Sequence, residues 1–512
     1  MSSKLSNFVL LKNAFANLVR GSFSALIAVI LPPFLVRTLP TETFSVWVLI
    51  LQLTAYVSYL DFGVQTAVGR FVAYHNDLGN FEERDRIVNT SFAILCGSGL
   101  LAILLMFTLV WQLPLIFRTI PNKLLTETKI ALLLVGSSLA IGLPFSVFNG
   151  VFVGIQRYEI PAIITGAGKL TTAILIVIAA KMNGSLALMG AAIAGVNFIS
   201  YIVQFLACQR FNQGIKYSYN LVSKNAAKEV FSYCFSLSIG YIGLLLVSGV
   251  DTTIIGIFNL RAVAYYSIAA SIITLIVGLQ SAIFSPILPV AAVMDARSDA
   301  KQLGKLLITS TRYGMFMLFV TGIPLILGAK PFLTLWAGQE YAENGAIILQ
   351  CLVIANIIRL SFVPYVTLVI GTAQQHLVIV SPLLEGFSNL ITSLALGSIM
   401  GATGVALGTI IGGIVGVTGH ISYNMPRTKG IIFSRYTFIK DALLSPSISV
   451  IPILLILPAM SFINSSLISG ILLITGSISV TLVLIWNFSL LDYERKFIIS
   501  LAISTVKNVI KL

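Results

Sequence analysis

Long apolar runs alternate along the chain with short polar stretches. A helix that crosses a membrane needs about 20 largely apolar residues, and fourteen segments of the sequence meet this requirement. These segments lie near residues 14–36, 43–65, 87–110, 130–154, 160–180, 185–208, 230–250, 262–289, 307–328, 345–370, 377–399, 402–423, 441–463 and 467–490. The pattern predicts an all-α polytopic membrane protein with about 14 transmembrane helices.

The composition indicates that lipid is the solvent of this chain. Of its 512 residues, 57% are hydrophobic and 10% are charged, and the mean hydropathy is +0.97. Soluble domains carry about 25% charged residues. The longest polar connections, near 209–229 and 424–440, are too short to fold alone. Any function must therefore lie within the membrane.

Basic residues distinguish the two sides of the membrane. With fourteen spans, 22 lysines and arginines fall on the side that holds both termini and 7 fall on the other. Because lysine and arginine collect on the cytoplasmic side, both termini are predicted to be cytoplasmic. The same bias accounts for the net charge of +14. No nucleic-acid partner is expected, since the sequence offers no soluble domain to carry a basic face.

The two halves of the chain share a pattern. A shift of 219 residues places 44–91 on 263–310, so that Leu60 meets Leu279. Parallel repeats of this kind are typical of transporters that hold their substrate between the halves. The predicted parts are an N-lobe of six spans at 1–208, a cytoplasmic connection at 209–229, a C-lobe of six spans at 230–423, and two further spans with a cytoplasmic tail at 424–512.

A highly charged stretch, His75–Arg86, follows the second predicted span. It is predicted to be a cytoplasmic loop in which Arg70, Arg84 and Arg86 orient the chain. Its acidic residues balance these charges.

Basic residues occur inside predicted spans, where each costs roughly 2.5–3.5 kcal/mol on insertion scales. They are Arg20, Lys169 and Arg359. Three buried cations indicate a cavity for an anionic ligand such as a pyrophosphate or an acidic sugar, because guanidinium groups bind phosphate well. Arg20 is also placed to snorkel to the inner surface. Arg359 is alternatively a structural ion-pair partner of Glu385.

The acidic residues inside spans are Asp61, Asp251 and Glu385. Each is a candidate for ion or proton coupling, because burial in a membrane favours the protonated form of a carboxyl group. Asp61 is alternatively a helix cap or a partner of Arg70. Asp251 is expected near the external edge of its span, with Arg261 as a partner.

Signatures of catalysis and of metal binding do not occur in the sequence. It holds no P-loop, Gly-x-Ser-x-Gly or His-Glu-x-x-His motif. The 3 histidines are scattered, and the 4 cysteines include no Cys-x-x-Cys pair. The chain is expected to be neither an enzyme nor an ATP-driven pump, and to need no metal or cofactor.

Several short motifs carry a family resemblance. Residues 60–64 read LDFGV, residues 70–73 read RFVA, and a charged stretch follows. The segments of the second half are 251–256 (DTTIIG), 263–266 (VAYY), 286–289 (PILP) and 331–338 (PFLTLWAG). Together they resemble the Wzx-type O-antigen and exopolysaccharide flippases of the multidrug/oligosaccharidyl-lipid/polysaccharide exporter superfamily. The resemblance covers roughly 10–425.

This resemblance implies a two-lobed transporter in the bacterial inner membrane. Its substrate would be an oligosaccharide linked to undecaprenyl pyrophosphate, carried outward for O-antigen, lipopolysaccharide or other surface polysaccharide assembly. Arg20, Lys169 and Arg359 would supply the cationic cavity that family members often have. The expected partners are this lipid-linked substrate, membrane lipids, a polysaccharide polymerase and a chain-length regulator, and the expected state is a monomer.

Three alternatives stay open at this point. A multidrug or cation antiporter of the same superfamily would need an acidic cavity for cationic drugs. A membrane-embedded polysaccharide polymerase or glycosyltransferase usually has a long external loop, whereas the longest external connection here lies near 111–129. A lipid II flippase of peptidoglycan synthesis would be distinguished by being essential.

Overall fold

Long helices joined by short turns make up most of the described chain. The computed structural model describes residues 27–454 except 183, 212 and 213, and residues 467–490, 492, 494–496 and 500. In this part of the chain no β-strand occurs, since a helix in lipid satisfies its own backbone hydrogen bonds. Ten helical runs of the described residues are long and apolar enough to cross a membrane. The predicted all-α, multi-pass fold is confirmed, and the count of fourteen spans stays a prediction.

Seven helices form the first half of the described chain. They are α1 (Ile27–Thr38), α2 (Thr41–Ala55), α3 (Val64–Asp77), α4 (Phe81–Ile116), α5 (Asn122–Gly154), α6 (Glu159–Lys181) and α7 (Leu186–Phe211). A 3₁₀ segment, Tyr56–Asp61, leads from α2 towards α3, and a second one, Tyr219–Leu221, follows α7. Phe62 and Gly63 have φ values of 50° and 82°, so the helix breaks between α2 and α3.

Eleven helices of eight or more residues follow in the second half of the described chain. They are α8 (Lys224–Leu244), α9 (Asp251–Phe258), α10 (Leu260–Phe284), α11 (Ile287–Ala296), α12 (Ala300–Leu327), α13 (Ala329–Trp336), α14 (Gln339–Leu360), α15 (Val363–Gly371), α16 (Val380–Gly419), α17 (Ser445–Leu454) and α18 (Leu467–Leu484). The π-helical segments are Leu245–Gly249, His420–Asn424, Phe438–Leu444 and Ile485–Ser489. Pro286 precedes α11 and Pro364 lies in the first turn of α15, so both prolines mark helix breaks.

Helix α16 consists of two arms that fold back on each other. Gly401 has φ 61° and ψ −139°, a conformation that favours glycine. The Ser393 hydroxyl donates to the Val405 carbonyl oxygen at 3.3 Å across the two arms. The arms match the separate spans predicted at 377–399 and 402–423.

Local geometry recurs at the predicted shift of 219 residues. Gly79 and Ser298 both have positive φ, at 68° and 55°. The next residues, Asn80 and Asp299, cap α4 and α12 by accepting hydrogen bonds from main-chain N–H groups three residues on, at 3.3 and 3.2 Å. These equivalences support an internal repeat, and the lobe boundaries stay predictions.

The chain divides into two compact units. The first contains residues 1–275 and 386–408, and the second contains 276–385 and 409–512. In the first unit, small residues bring α3 against α5. A Cβ atom on Gly154 would lie 2.7 Å from the Val72 side chain, so this contact requires glycine.

Buried aromatic residues and a close helix contact organise the second unit. Phe362, Tyr365 and Phe438 lie in one core cluster. The C-terminal helix α18 packs on α12, and a Cβ atom on Gly328 would lie 2.7 Å from Ile474. The last two helices therefore belong to the second unit.

The charged loop predicted over His75–Arg86 is wrong in its extent. Helix α3 continues through Asp77 and α4 begins at Phe81, so only a short turn separates them. The cap at the start of α4 and an i,i+4 ion pair of 2.7 Å between Arg86 and Glu82 stabilise helix in this polar stretch.

Candidate functional site

The helix that leads from α8 to α9 is interrupted by the π-helical segment Leu245–Gly249. A π-turn changes the hydrogen-bond pattern of the helix and such turns often occur at functional sites. The Gly249 carbonyl oxygen accepts hydrogen bonds from the Gln52 side-chain amide at 2.7 Å and from the Tyr56 hydroxyl at 2.6 Å. Two side chains of neighbouring helical segments thus satisfy a carbonyl group of the π-helical segment.

Asn389 on α16 binds the same interruption from another direction. Its side-chain nitrogen lies 3.0 Å from the Val247 carbonyl oxygen and 3.3 Å from Asp251 Oδ1. Its side-chain oxygen accepts a hydrogen bond from the Ser393 hydroxyl at 3.0 Å. The amide therefore joins the π-turn, a carboxylate and a hydroxyl.

Asp251 begins α9 at the centre of this arrangement and is 3% exposed. The Tyr266 hydroxyl donates a hydrogen bond to its Oδ2 atom at 2.6 Å. The predicted partnership with Arg261 is wrong, because Arg261 pairs with Glu42 at 3.2 Å. The Asp251 side chain is held instead by hydrogen bonds from Tyr266 and Asn389.

These groups form the π-turn network, which comprises Gln52, Tyr56, the segment Leu245–Gly249, Asp251, Tyr266, Asn389 and Ser393. A carboxylate with amide, hydroxyl and main-chain carbonyl oxygens can bind a proton or a small cation. Sequence reasoning found only Asp251, because only ionisable residues were sought within the spans. Uncharged polar residues within apolar helices are the sequence signal that could have identified the other members of the network.

Asp61 occupies the break between α2 and α3. The Ser146 hydroxyl donates to its Oδ1 atom at 3.0 Å, and the Gln65 main-chain N–H lies 3.4 Å from Oδ2. Asp61 therefore contacts the first turn of α3, although the N-cap residue of that helix is Gly63, and its role stays a prediction. Arg70 is not its partner and lies over the Tyr233 ring at 4.8 Å.

Arg359 and Glu385 form an ion pair in the second unit. Their Nε and Oε1 atoms lie 2.5 Å apart, and the side chains are 19% and 12% exposed. The predicted pairing is confirmed. Glycine makes room for it, because a Cβ atom on Gly413 would lie 2.9 Å from Arg359 and one on Gly416 would lie 2.6 Å from Glu385.

The other two predicted cavity cations are Lys169 and Arg20. Lys169 is exposed near the middle of α6 in the first unit. Arg20 lies outside the described residues. Within the described residues, no three His, Cys, Asp or Glu side chains are grouped to hold a metal ion.

The buried ion pair of Arg312 and Glu494 was not predicted from the sequence. Arg312 on α12 pairs with Glu494, and their side chains are 5% and 1% exposed. The Tyr313 hydroxyl also donates to Glu494 at 3.1 Å. Arg312 lies inside the span predicted at 307–328, and its side chain is buried.

The fold is that of transporters of the multidrug/oligosaccharidyl-lipid/polysaccharide superfamily. A lipid II flippase, MurJ, in an inward closed conformation aligns with a TM-score of 0.70 and 15% identity, covering 93% of this chain and 98% of that one. An inward-facing multidrug resistance MATE transporter aligns with a TM-score of 0.60 and 14% identity, covering 80% of this chain and 97% of that one.

The sequence match identifies the family. Residues 10–294 match the family described as Polysaccharide biosynthesis protein, and the chain belongs to that family. It is also 23% identical over 393 residues to EpsK of Bacillus subtilis (strain 168), an uncharacterized membrane protein, across 75% of this chain and 76% of EpsK. The predicted family is confirmed, and its members and structural neighbours are transporters and not enzymes.

Proposed function

We propose that this protein is a flippase for oligosaccharides linked to undecaprenyl pyrophosphate. The family match over residues 10–294 carries the proposal, and the fold shared with a lipid II flippase supports it. The polyprenyl tail stays in lipid while the sugar and pyrophosphate cross between two six-span lobes, 1–208 and 230–423, by alternating access. The process is O-antigen or other surface polysaccharide assembly at the bacterial inner membrane, with both termini cytoplasmic.

The anionic head group is held by Arg20, Lys169 and Arg359 in this proposal. Arg359 is the best defined of the three because its pairing is known. In that pair the guanidinium charge is already balanced by Glu385. A pyrophosphate binds Arg359 when it displaces the Glu385 carboxylate or when Glu385 takes up a proton. Protonation of Glu385 therefore favours substrate binding at Arg359, and substrate binding favours protonation of Glu385, which links binding to ion coupling.

Coupling is assigned first to Asp251. Its burial and its place beside an interrupted helix support this role, since interrupted helices and their carbonyl groups hold coupling ions in transporters. A proton or a monovalent cation on Asp251 changes the charge of the π-turn network by one unit. Glu385 and Asp61 are further candidates, and the hydrogen bonds of Asp61 with Ser146 and with the Gln65 N–H favour a structural role for it.

The test combines a cellular assay with a biochemical one. Cells that lack the protein should keep lipid-linked single units on the inner leaflet and lose surface polysaccharide. The Arg20→Ala and Arg359→Ala variants should do the same at unchanged protein levels. Normal polysaccharide in both variants would refute the site assignment.

In this proposal the protein acts as a monomer in the membrane. The units that it moves across the membrane are then used by a polysaccharide polymerase and a chain-length regulator.

A drug antiporter is the second candidate, because the fold also aligns with a MATE transporter. Export of a cationic dye from energised vesicles, together with normal flipping in cells that lack the protein, would favour it. Changed polymer length without trapped single units would favour a polymerase.

A further inference from the structure

Two connections of the chain are strongly basic. Residues 209–228 and 424–440 contain no Asp or Glu. Each holds four basic residues, which are Arg210, Lys216, Lys224 and Lys228 in the first and Arg427, Lys429, Arg435 and Lys440 in the second. All eight side chains are exposed. We call these segments the first and second basic connections.

Large apolar and aromatic side chains project from the same segments. Tyr219 is 87% exposed in the first connection. In the second, Tyr436 is 72% and Ile432 is 61% exposed. Tyrosine with its hydroxyl in water and its ring in the head-group region is typical of membrane interfaces.

The first basic connection is fixed to α4 through its main chain. Asp85 Oδ2 accepts a hydrogen bond from the Lys216 N–H at 3.1 Å, and the Asn89 side chain bonds the carbonyl oxygen of the same residue at 2.8 Å. Asn89 Oδ1 also accepts from the Ser218 N–H at 2.9 Å. Because the backbone is held, the Lys216 and Tyr219 side chains stay directed away from the helix.

The second basic connection is fixed in the same manner within its own unit. The Gln374 side chain donates to the Lys429 carbonyl oxygen at 2.8 Å and accepts from the Lys429 N–H at 2.9 Å. The Ile432 N–H donates to the Ala300 carbonyl oxygen at 3.0 Å. Two separate segments thus hold their backbone in place while basic and aromatic side chains remain outside.

We propose that both basic connections are docking surfaces for anionic phospholipid head groups. The first joins the ends of two helices, α7 and α8, so its side chains lie close to the membrane surface. Lysine and arginine near that surface attract anionic lipids, and exposed tyrosine and isoleucine gain by entering the interface. In the proposed topology six spans separate the connections, so both face the same leaflet. The inference rests on this topology and not on the transported substrate.

The test uses the full-length protein in nanodiscs with brominated lipids, which quench tryptophan fluorescence at short range. In the Tyr219→Trp variant, the added fluorescence should be quenched about threefold more strongly by brominated phosphatidylglycerol than by brominated phosphatidylcholine. Adding Lys216→Gln, Lys224→Gln and Lys228→Gln should remove this preference. The matched control, Arg118→Gln with Lys123→Gln and Lys330→Gln, changes three basic residues of the opposite predicted side and should preserve it.

Two results would overturn the proposal. Equal quenching by the two lipids would show an interfacial position without head-group recognition. Quenching by aqueous acrylamide alone would show that the segment stands away from the membrane, where an acidic protein could bind it. Flipping activity measured on the same samples is independent of either result, so failure of the lipid proposal and failure of the flippase proposal are distinguishable.

Discussion

The Asn389 side-chain amide and the Asp251 carboxylate meet at 3.3 Å, although 138 residues separate them in the sequence. Asn389 also bonds the Val247 carbonyl oxygen of the π-turn at 3.0 Å. A change of charge on Asp251 therefore acts directly on a residue that holds the interrupted helix. If Asp251 binds the coupling ion, as proposed above, this contact joins the ion site directly to the π-turn.

The Asp251→Asn substitution should uncouple transport. Asparagine keeps the size of the side chain. Its amide oxygen can accept from Asn389 while its NH2 donates to the Tyr266 hydroxyl, so the protein should fold, but the side chain carries no titratable charge. We expect the ion gradient to lose its effect, with gradient-driven flipping in proteoliposomes reduced about tenfold or more. Glu42→Gln, which changes an acid paired with Arg261 in the same unit, is the control. Full gradient dependence in Asp251→Asn would exclude the coupling role.

Removing the Glu385 charge should expose Arg359 to anions. We expect Glu385→Gln to bind geranyl pyrophosphate about fivefold or more tightly than the unchanged protein, because the guanidinium no longer has an internal counter-ion. Glu385→Asp keeps the charge and should change the affinity less. Calorimetric titration of purified protein measures both. An affinity that is the same in Glu385→Gln and the unchanged protein would show that the pair is structural.

Asp61→Asn distinguishes a structural hydrogen-bonding role from a coupling role. The asparagine amide can accept from the Gln65 N–H through its oxygen and donate to the Ser146 hydroxyl through its nitrogen. We expect surface polysaccharide to stay normal in Asp61→Asn, while Asp61→Ala, which removes both hydrogen bonds, should destabilise the protein by about 1 kcal/mol. Loss of polysaccharide in the asparagine variant at normal protein levels would instead return Asp61 to the coupling candidates.

Gly401→Ala should destabilise the turn between the two arms of α16. Its φ of 61° and ψ of −139° are unfavourable for a residue with a Cβ atom, at a cost of about 1–3 kcal/mol. Space is not the reason, since no atom lies within 4 Å of an added Cβ atom. Gly97→Ala on α4 is equally unobstructed, has no positive φ and should be neutral or stabilising. Thermal unfolding in detergent measures the difference, and equal stability of the two variants would contradict it.

The apolar periodicity was sufficient to predict the class of fold and most helix positions. It located two spans at 377–399 and 402–423, where Gly401 makes the turn. It failed at His75–Arg86, where a high density of charged residues predicted a loop. In the structure charged side chains of this stretch pair along a helix. Low hydropathy does not distinguish a polar helix from a polar loop. A helix whose charged side chains pair with one another therefore gives the same hydropathy signal as a charged loop.

The candidate site was only partly predictable for a different reason. Arg359 and Glu385 were found because a charge inside a span is conspicuous, and their pairing followed from opposite signs. Asn389 and Tyr266 carry no charge, and their link to Asp251 depends on helix packing over long sequence separations. Single-sequence patterns contain periodicity along each helix but not the contacts between helices.

Removing one partner of the buried pair of Arg312 and Glu494 should destabilise the protein more than removing one partner of an exposed pair. Glu494→Ala removes the carboxylate that pairs with a buried guanidinium and should destabilise the protein by about 3–5 kcal/mol. Replacing both residues, with Arg312→Met and Glu494→Leu, removes both charges from the interior and should recover most of that loss.

The exposed pair of Arg86 and Glu82 is the matched control, and Glu82→Ala should change stability by less than about 0.5 kcal/mol. Thermal unfolding of the purified variants in one detergent gives the comparison. Because α18 and Glu494 pack on α12 in the second unit, Glu494→Ala should also increase proteolysis after residue 490. Equal destabilisation by the single and the double replacement would show that the pair acts through its specific geometry and not through compensation of charge.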